Sequence, residues 1–377
     1  MRVALFSGNY NYVREGANQA LNRLVADLEN RGYTFRIYSP VTDTPAFEPA
    51  GTLVGVPSIP LPRRREFQLA LGINRKLRGD IRAFRPDLIH VATPDILGTR
   101  AQTLAKQLGV PAVASLHTRF ETYLSHYRMD WARPLVEAHL KRFYRRSDLV
   151  LVPNHALLAE MRVLRSGHGV EIWSRGVDRH LFNPARRSAP WRATHGWGDD
   201  DIVILWFGRI VAEKGIDRFI EVVQLLRRSG RVVRALVVGD GPARNRFVNL
   251  PDTSFAGQLD GEALATAVAS ADIMLCPSLT EAFGNVVLEG MASGLAVVSA
   301  DAPSARALID AGQSGLLCAD LGEDYASAIA GLIDNPEDRQ RLGQRARAAA
   351  AAFSWEEASL SVERAYADVL NRREARP

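Results

Sequence analysis

Cysteine is almost missing from these 377 residues: there are two, Cys276 and Cys318, without CxxC spacing. That excludes a disulfide framework and a cysteine-based structural zinc site, and it favours a reduced, cytosolic protein. Lysine is nearly as scarce. Of 47 basic residues four are lysine (Lys76, Lys106, Lys141 and Lys214), so arginine supplies the other 43 and Lys214 is the only lysine after residue 141. In so arginine-biased a chain, a retained lysine marks a place where a compact ammonium suits better than a planar guanidinium, or a chance survival. No run of 18 apolar residues occurs, and Asn9, Asn11 and Arg14 arrive before a signal-peptide core could form. Neither a membrane-spanning nor a secreted chain is expected. Walker A, HExxH and Gly-x-Ser-x-Gly sequences are absent too, which removes P-loop, zinc-protease and nucleophile-elbow chemistry.

What is present fits a globular enzyme: 47% hydrophobic and 24% charged residues, in a length that asks for two domains. The formal charge of +5 favours anionic partners without naming one, and phosphates, nucleic acid and acidic lipid all stay open. Short aliphatic runs alternate with helical-period segments, the pattern of parallel sheets covered by crossover helices. In the first half strands are expected near Val3-Phe6, Phe35-Tyr38, Leu88-Val91, Ala112-Leu116 and Leu149-Val152, with helices including Gln68-Phe84 and Pro134-Arg146. The alternation lapses after Asp178 and resumes near Val203-Phe207, Arg234-Val238, Ile273-Cys276 and Ala296-Ser299. The expected organisation is an α/β Rossmann-like domain over 1–182, a linker over 183–200, a second Rossmann-like domain over 201–354, and a final helix in 355–377 returning to the first domain.

Ligands of open α/β sheets bind beyond the carboxyl ends of strands. After Phe207 come Gly208 and Arg209, then Lys214 and Gly215 at a helix start. Two cations and helical N–H groups suit a diphosphate; a solvated basic loop is the plain alternative, disfavoured by this position. After Cys276 the run Pro277 to Gly294 holds Glu281 and Glu289, with Phe283-Gly284-Asn285-Val286 between them. Carboxylates on the loop and one turn into the helix suit sugar and ribose hydroxyls; an acidic helix start is the bland reading. His117 follows the strand ending at Leu116, where a packing role competes with a functional one. Gly16, at the end of the loop Ser7 to Glu15, would let a phosphate approach a helix start. Gly239-Asp240-Gly241-Pro242 fails as a dinucleotide fingerprint because Arg244 takes the third glycine's place. Asp199-Asp200-Asp201 satisfies a loose Asp-x-Asp pattern but reads as a turn before a strand.

With Gly208-Arg209…Lys214, Gly239-Asp240-Gly241-Pro242 and Glu281…Glu289 in this order, the chain resembles retaining GT-B glycosyltransferases of glycosyltransferase family 4. Leu116-His117-Thr118 falls where that family carries a histidine. The stretches His117 to Leu124 and Arg175 to Pro184 are similar to bacterial lipid glycosyltransferases, including GDP-mannose-dependent α-mannosyltransferases and sulfoquinovosyl diacylglycerol synthases. The resemblance implies two Rossmann-like domains facing a central cleft and a nucleotide-diphosphate sugar held mainly by the second. It implies Arg209 and Lys214 on the diphosphate, Glu281 with Phe283, Gly284, Asn285 and Val286 on the sugar side, and Glu289 on the ribose. His117 would lie beside the sugar, and Gly16 and Gly208 near the phosphates. It further implies a lipid or glycan acceptor, no essential metal, no cofactor and no nucleic acid. The loop from Ser7 to Gly16 departs from the family's usual Pro and Gly-Gly forms. A GT-B nucleotide-sugar epimerase and a non-catalytic nucleotide-sugar-binding protein share the plan and stay open at this point. Arg63-Arg64-Arg65 and Lys141-Arg142 with Arg145-Arg146, interleaved with Phe67, Phe143 and Tyr144, favour peripheral attachment to the inner face of an anionic membrane.

Overall fold

The computed structural model describes residues 1–61, 64–119 and 129–374, apart from the side chains of 64–66, 249 and 374. The chain forms two compact units: one reaches Gly176 and takes back the last helix from Trp355, and the other runs Val177–Ser354.

Strands of the first unit are β1 (Arg2–Phe6), β2 (Thr34–Ser39), β3 (Thr52–Gly55), β4 (Ser58–Leu61), β5 (Arg64–Ala70), β6 (Leu88–Val91), β7 (Ala112–Ser115), β8 (Leu149–Val152) and β9 (Val170–Ile172). Seven of them make one parallel sheet, ordered β3-β2-β1-β6-β7-β8-β9. Runs such as Leu149-Val150-Leu151-Val152 are apolar throughout because helices cover both faces. The last helix, Trp355–Glu374, covers one of those faces. Its Ala358, Val362, Ala365, Tyr366 and Val369 recur at helical spacing and pack with Val3, Leu5, Val113 and Leu151.

The expected helix Gln68-Phe84 is a correction. Residues 68–70 belong to β5, paired antiparallel with β4, and the helix is Arg75–Phe84. Gly72 at φ +103° turns the chain, and the Asn74 side chain caps the new helix by accepting from Leu77 N at 2.9 Å.

Strands of the second unit are β10 (Ile202–Phe207), β11 (Val233–Val238), β12 (Thr253–Gly257), β13 (Ile273–Cys276), β14 (Ala296–Ala300) and β15 (Leu316–Cys318), in the order β12-β11-β10-β13-β14-β15 and parallel throughout. The stretch 183–200 is folded into this unit. It holds a helix, Ala189–Thr194, whose buried Arg192 donates to the carbonyls of Ser270 (2.8 Å) and Asp201 (2.7 Å) and pairs with Asp272. Asp201 pairs with Arg234 at 2.9 Å and accepts from Gly198 N, so the acidic triplet before β10 ends in a structural contact.

Candidate active site

In the second sheet β10 and β13 are neighbours, while the chain leaves β10 for β11 on its other side. Such a reversal of strand order opens a crevice at the carboxyl edge. The two loops there are those singled out by sequence: Gly208 to Lys214 after β10, and Pro277 to Gly284 after β13.

The loops are stitched together. The hydroxyls of Ser278 and Thr280 donate to the Glu213 carbonyl at 3.4 and 3.2 Å, and the Lys214 ammonium forms an ion pair with the Glu281 carboxylate. Ile210 N donates to the Asp240 carbonyl at 2.9 Å, tying in the Gly239–Pro242 turn. A Cβ on Gly239, itself at φ +138°, would lie 1.9 Å from the Gly208 carbonyl oxygen, so only glycine permits this approach. Buried Cys276 lies behind the loops. Its thiol is pushed up to about 12 by burial first and then by the Glu281 carboxylate, which keeps it protonated and inert.

Gly284, at φ +98°, turns the chain into the helix Asn285–Ala292, whose first N–H groups have no partner within the helix. Val286 adjoins Gly208: a Cβ on that glycine would lie 3.8 Å from its Cγ1. Phe283 is buried edge-on against Phe353, 6.2 Å between centroids, and anchors the loop from below. Glu289 follows one turn into the helix. Burial alone pushes its carboxyl up to about 8, so much of it is neutral at pH 7. The second unit therefore joins Lys214 to Glu281 and sets Gly208 beside Val286, while Arg209, Phe283, Gly284, Asn285 and Glu289 lie along the same two loops and the helix that follows.

Gly16 and His117 belong to the first unit. Gly16 opens the helix Gly16–Glu29, where Glu15 and Asn18 form a reciprocal capping box. His117 lies just past β7, and both of its ring nitrogens are engaged: Nδ1 with the Arg175 guanidinium at 2.7 Å and Nε2 with Ser115 Oγ at 2.7 Å. Sequence reasoning missed Arg175, Ser115 and the buried His90 that follows them. The only signal was the run beginning Arg175-Gly176-Val177-Asp178, quoted for its family look and not for a role.

Two Rossmann-like units of this build, one carrying paired cations and two carboxylates at its switch point, define a GT-B glycosyltransferase. The model of "Glycosyltransferase Family 4" matches residues 14–181 and that of "Glycosyl transferases group 1" residues 188–349. A GDP-mannose-dependent alpha-mannosyltransferase of Mycolicibacterium smegmatis is 32% identical over 386 residues, covering both chains completely. Sulfoquinovosyl transferase SQD2 of Arabidopsis thaliana is 30% identical over 82% of this chain, which spans 62% of that protein's length. Among solved structures, the sucrose-phosphate synthase of Thermosynechococcus elongatus shares the fold with a TM-score of 0.78 at 20% identity, covering 98% of this chain and 99% of that one. The chain belongs to the retaining GT-B glycosyltransferases of glycosyltransferase family 4. These relatives carry transferase and synthase names, which disfavours the epimerase and the non-catalytic alternative.

Proposed function

We propose that the protein moves a hexosyl group from GDP-mannose or a UDP-sugar to a hydroxyl of a lipid or glycolipid, retaining the anomeric configuration. The observation that carries this reading is the Lys214–Glu281 ion pair at the β10/β13 switch point, beside a helix N-terminus. When a donor enters, its diphosphate takes over Lys214 and draws Arg209, and the freed Glu281 carboxylate accepts from hydroxyls of the transferred sugar. One ion pair is exchanged for another, so no charge is left uncompensated in the site. Glu289 holds the ribose, and Gly284 with the N–H groups of Asn285 and Val286 lines the sugar and phosphate side.

Chemically, the bond from the anomeric carbon to the β-phosphate oxygen breaks as the bond to the acceptor oxygen forms on the same face. The acceptor's proton passes to the departing phosphate oxygen. The two cations stabilise the charge growing on the diphosphate, and such stabilisation supplies the largest share of rate acceleration in sites of this kind.

The two glutamates are separable by titration. Glu281→Ala should weaken binding of the intact sugar nucleotide by about 1.5 to 3 kcal/mol, the worth of a charged hydrogen bond, and leave the bare nucleoside diphosphate nearly unaffected. Glu289→Ala should weaken both. Equal losses for the two ligands in the Glu281 variant would refute the assignment.

The lipid acceptor is supported by the surface around the helix Arg133–Arg146. Met129, Trp131 and Leu135 are exposed at its start, Trp131 to 75%, and Lys141, Arg142, Arg145 and Arg146 are exposed along its second half. Phe143 and Tyr144, expected on that surface, instead lie in the core of the first unit. Arg63 lies outside the described residues, as do the side chains of Arg64 and Arg65. No described helix is long and apolar enough to cross a membrane, so attachment is peripheral in this reading, on the cytoplasmic inner face. Each basic residue near anionic head groups contributes about 1 kcal/mol. Sedimentation with anionic vesicles should therefore fall as salt rises, and fall further in Trp131→Ala. Equal sedimentation with neutral and anionic vesicles at low salt would remove the electrostatic part.

A further inference from the structure

Behind the β7 loop of the first unit runs a line of polar side chains, buried except for the partly exposed His117. Arg175, 4% exposed, donates from its second amino group to His117 Nδ1 at 2.7 Å and from its first to the carbonyls of Trp173 (3.0 Å) and Ser174 (3.1 Å). The guanidinium also lies over the Trp173 ring, 4.4 Å from its centroid. His117 Nε2 meets Ser115 Oγ at 2.7 Å, which meets His90 Nε2 at 2.8 Å, and His90 Nδ1 meets the hydroxyl of Tyr366, on the last helix, at 2.6 Å. His90 and Tyr366 are fully buried.

A guanidinium can only donate. His117 Nδ1 must therefore accept, and its single ring proton resides on Nε2, pointing at Ser115. Arg175 is also a buried cation with no carboxylate partner among the described residues. Carbonyls and a ring face compensate it only in part, so keeping it there costs stability. A neutral side chain could fill the space more cheaply, and the feature a neutral residue cannot supply is a fixed positive charge against Nδ1.

We infer that Arg175 is a positioning residue that holds His117 as the neutral Nε2–H tautomer, so that this histidine neither takes up nor passes on a proton during transfer. The inference rests on the transferase reading above and on the family resemblance, which implies His117 beside the sugar. In that setting a neutral ring has a purpose. The anomeric carbon gains positive charge as its bond to phosphate breaks, and an imidazolium against it would raise the barrier. The charge of Arg175 is held on the far side of the ring and partly spent on two carbonyls and Trp173.

The groups that face His117 all act in one direction. Arg175 approaches from the segment after β9 and His90 from β6, with Tyr366 of the last helix beyond it, while Ser115 is in β7 itself. Burial first, then Arg175 and then His90, hold the imidazole well below its ordinary value. Arg119, two residues along, is paired with Glu160 at 3.2 Å, and among the described residues no carboxylate bonds to the ring. Both ring nitrogens are thus occupied although the residue is partly exposed.

The test is nitrogen-15 NMR of histidine side chains in the full chain, with the His117 signals assigned by their loss in His117→Gln. The expected wild-type result is an unprotonated Nδ1, a protonated Nε2 and no titration between about pH 5.5 and 8.5. In Arg175→Gln burial and His90 still hold the ring down, so it should titrate above the wild-type midpoint and below the ordinary histidine value of about 6.5. Turnover in that variant should acquire an acid limb, falling up to tenfold per unit as pH drops below the variant's own midpoint, where wild type has none. Arg175→Lys, which restores the charge, should remove the limb. A wild-type His117 that is protonated on Nδ1, or that titrates near 6.5, overturns the inference even in a fully active enzyme. A locked tautomer in a protein that transfers no sugar would instead count against the transferase reading and leave the assignment of Arg175 standing. Should Arg175→Gln fail to fold, the wild-type tautomer and titration still decide.

Discussion

Lys214→Ala and Arg209→Ala should each lower kcat by about a hundredfold to a thousandfold, the cost of removing one preorganised charge from a developing anion. The basis is positional. Both residues occupy the loop after β10 at the point where strand order reverses, and Lys214 is fixed against Glu281 before any donor arrives. If the cations act mainly as the diphosphate departs, kcat and kcat/KM should fall together, with KM for the donor little changed. Stability should hardly move, because a partly exposed ion pair is worth about 1 kcal/mol at most; thermal unfolding of each variant checks this. Lys214→Arg should recover only a small part of the activity. A planar fork does not replace a compact ammonium seated between Glu281 and a diphosphate, and this lysine is one of four in a chain with 43 arginines. Near-normal turnover in both alanine variants would remove the loop from the mechanism.

What could be read from the sequence depended on how local its cause was. Buried parallel strands announce themselves as short apolar runs, so β1, β6, β8, β10 and β13 fall within a residue or so of expectation. The loops after β10 and β13 were legible for the same reason, since strand ends locate them and Gly208, Lys214, Glu281 and Gly284 are unusual in company. Edge strands were not legible. β3, β9, β12 and β15 pair on one side only, and tertiary pairing defines them more than composition does. Gln68-Phe84 failed because apolar spacing across Leu69, Ile73 and Leu77 fits a helix, while Gly72 and the Asn74 cap, both visible, mark a turn and a fresh start. Arg175, Ser115, His90 and Tyr366 were invisible as a group. They come from β6, β7, the segment after β9 and the last helix, as much as 276 residues apart, and only the sheet order and the returning helix bring them into line.

Binding of a nucleoside diphosphate should release close to one proton at pH 7 in wild type and none in Glu289→Gln. In the empty protein the Glu289 carboxyl is pushed up to about 8 by burial, so at pH 7 it is mostly neutral. A ribose offering two hydroxyl donors favours the carboxylate over the acid. Binding then lowers the group's pKa and the proton departs. Affinity should accordingly rise with pH, up to tenfold per unit between about 6 and 8, and level off above the free-state value. The same group acts on stability with the opposite sense. Its folded value lies above the ordinary 4.5, so the folded state binds more protons across that window and stability declines as pH rises from 4.5 to about 8. Glu289→Gln should thus be more stable than wild type at pH 8, by on the order of 2 kcal/mol. That is less than half of what about 1.36 kcal/mol per pH unit would give over the full shift, since the residue keeps some contact with solvent. At pH 5 the two proteins should unfold together. Calorimetric titration in buffers of different ionisation enthalpy measures the proton directly; release that persists unchanged in Glu289→Gln would take the ribose contact away from Glu289 and assign the proton to another group.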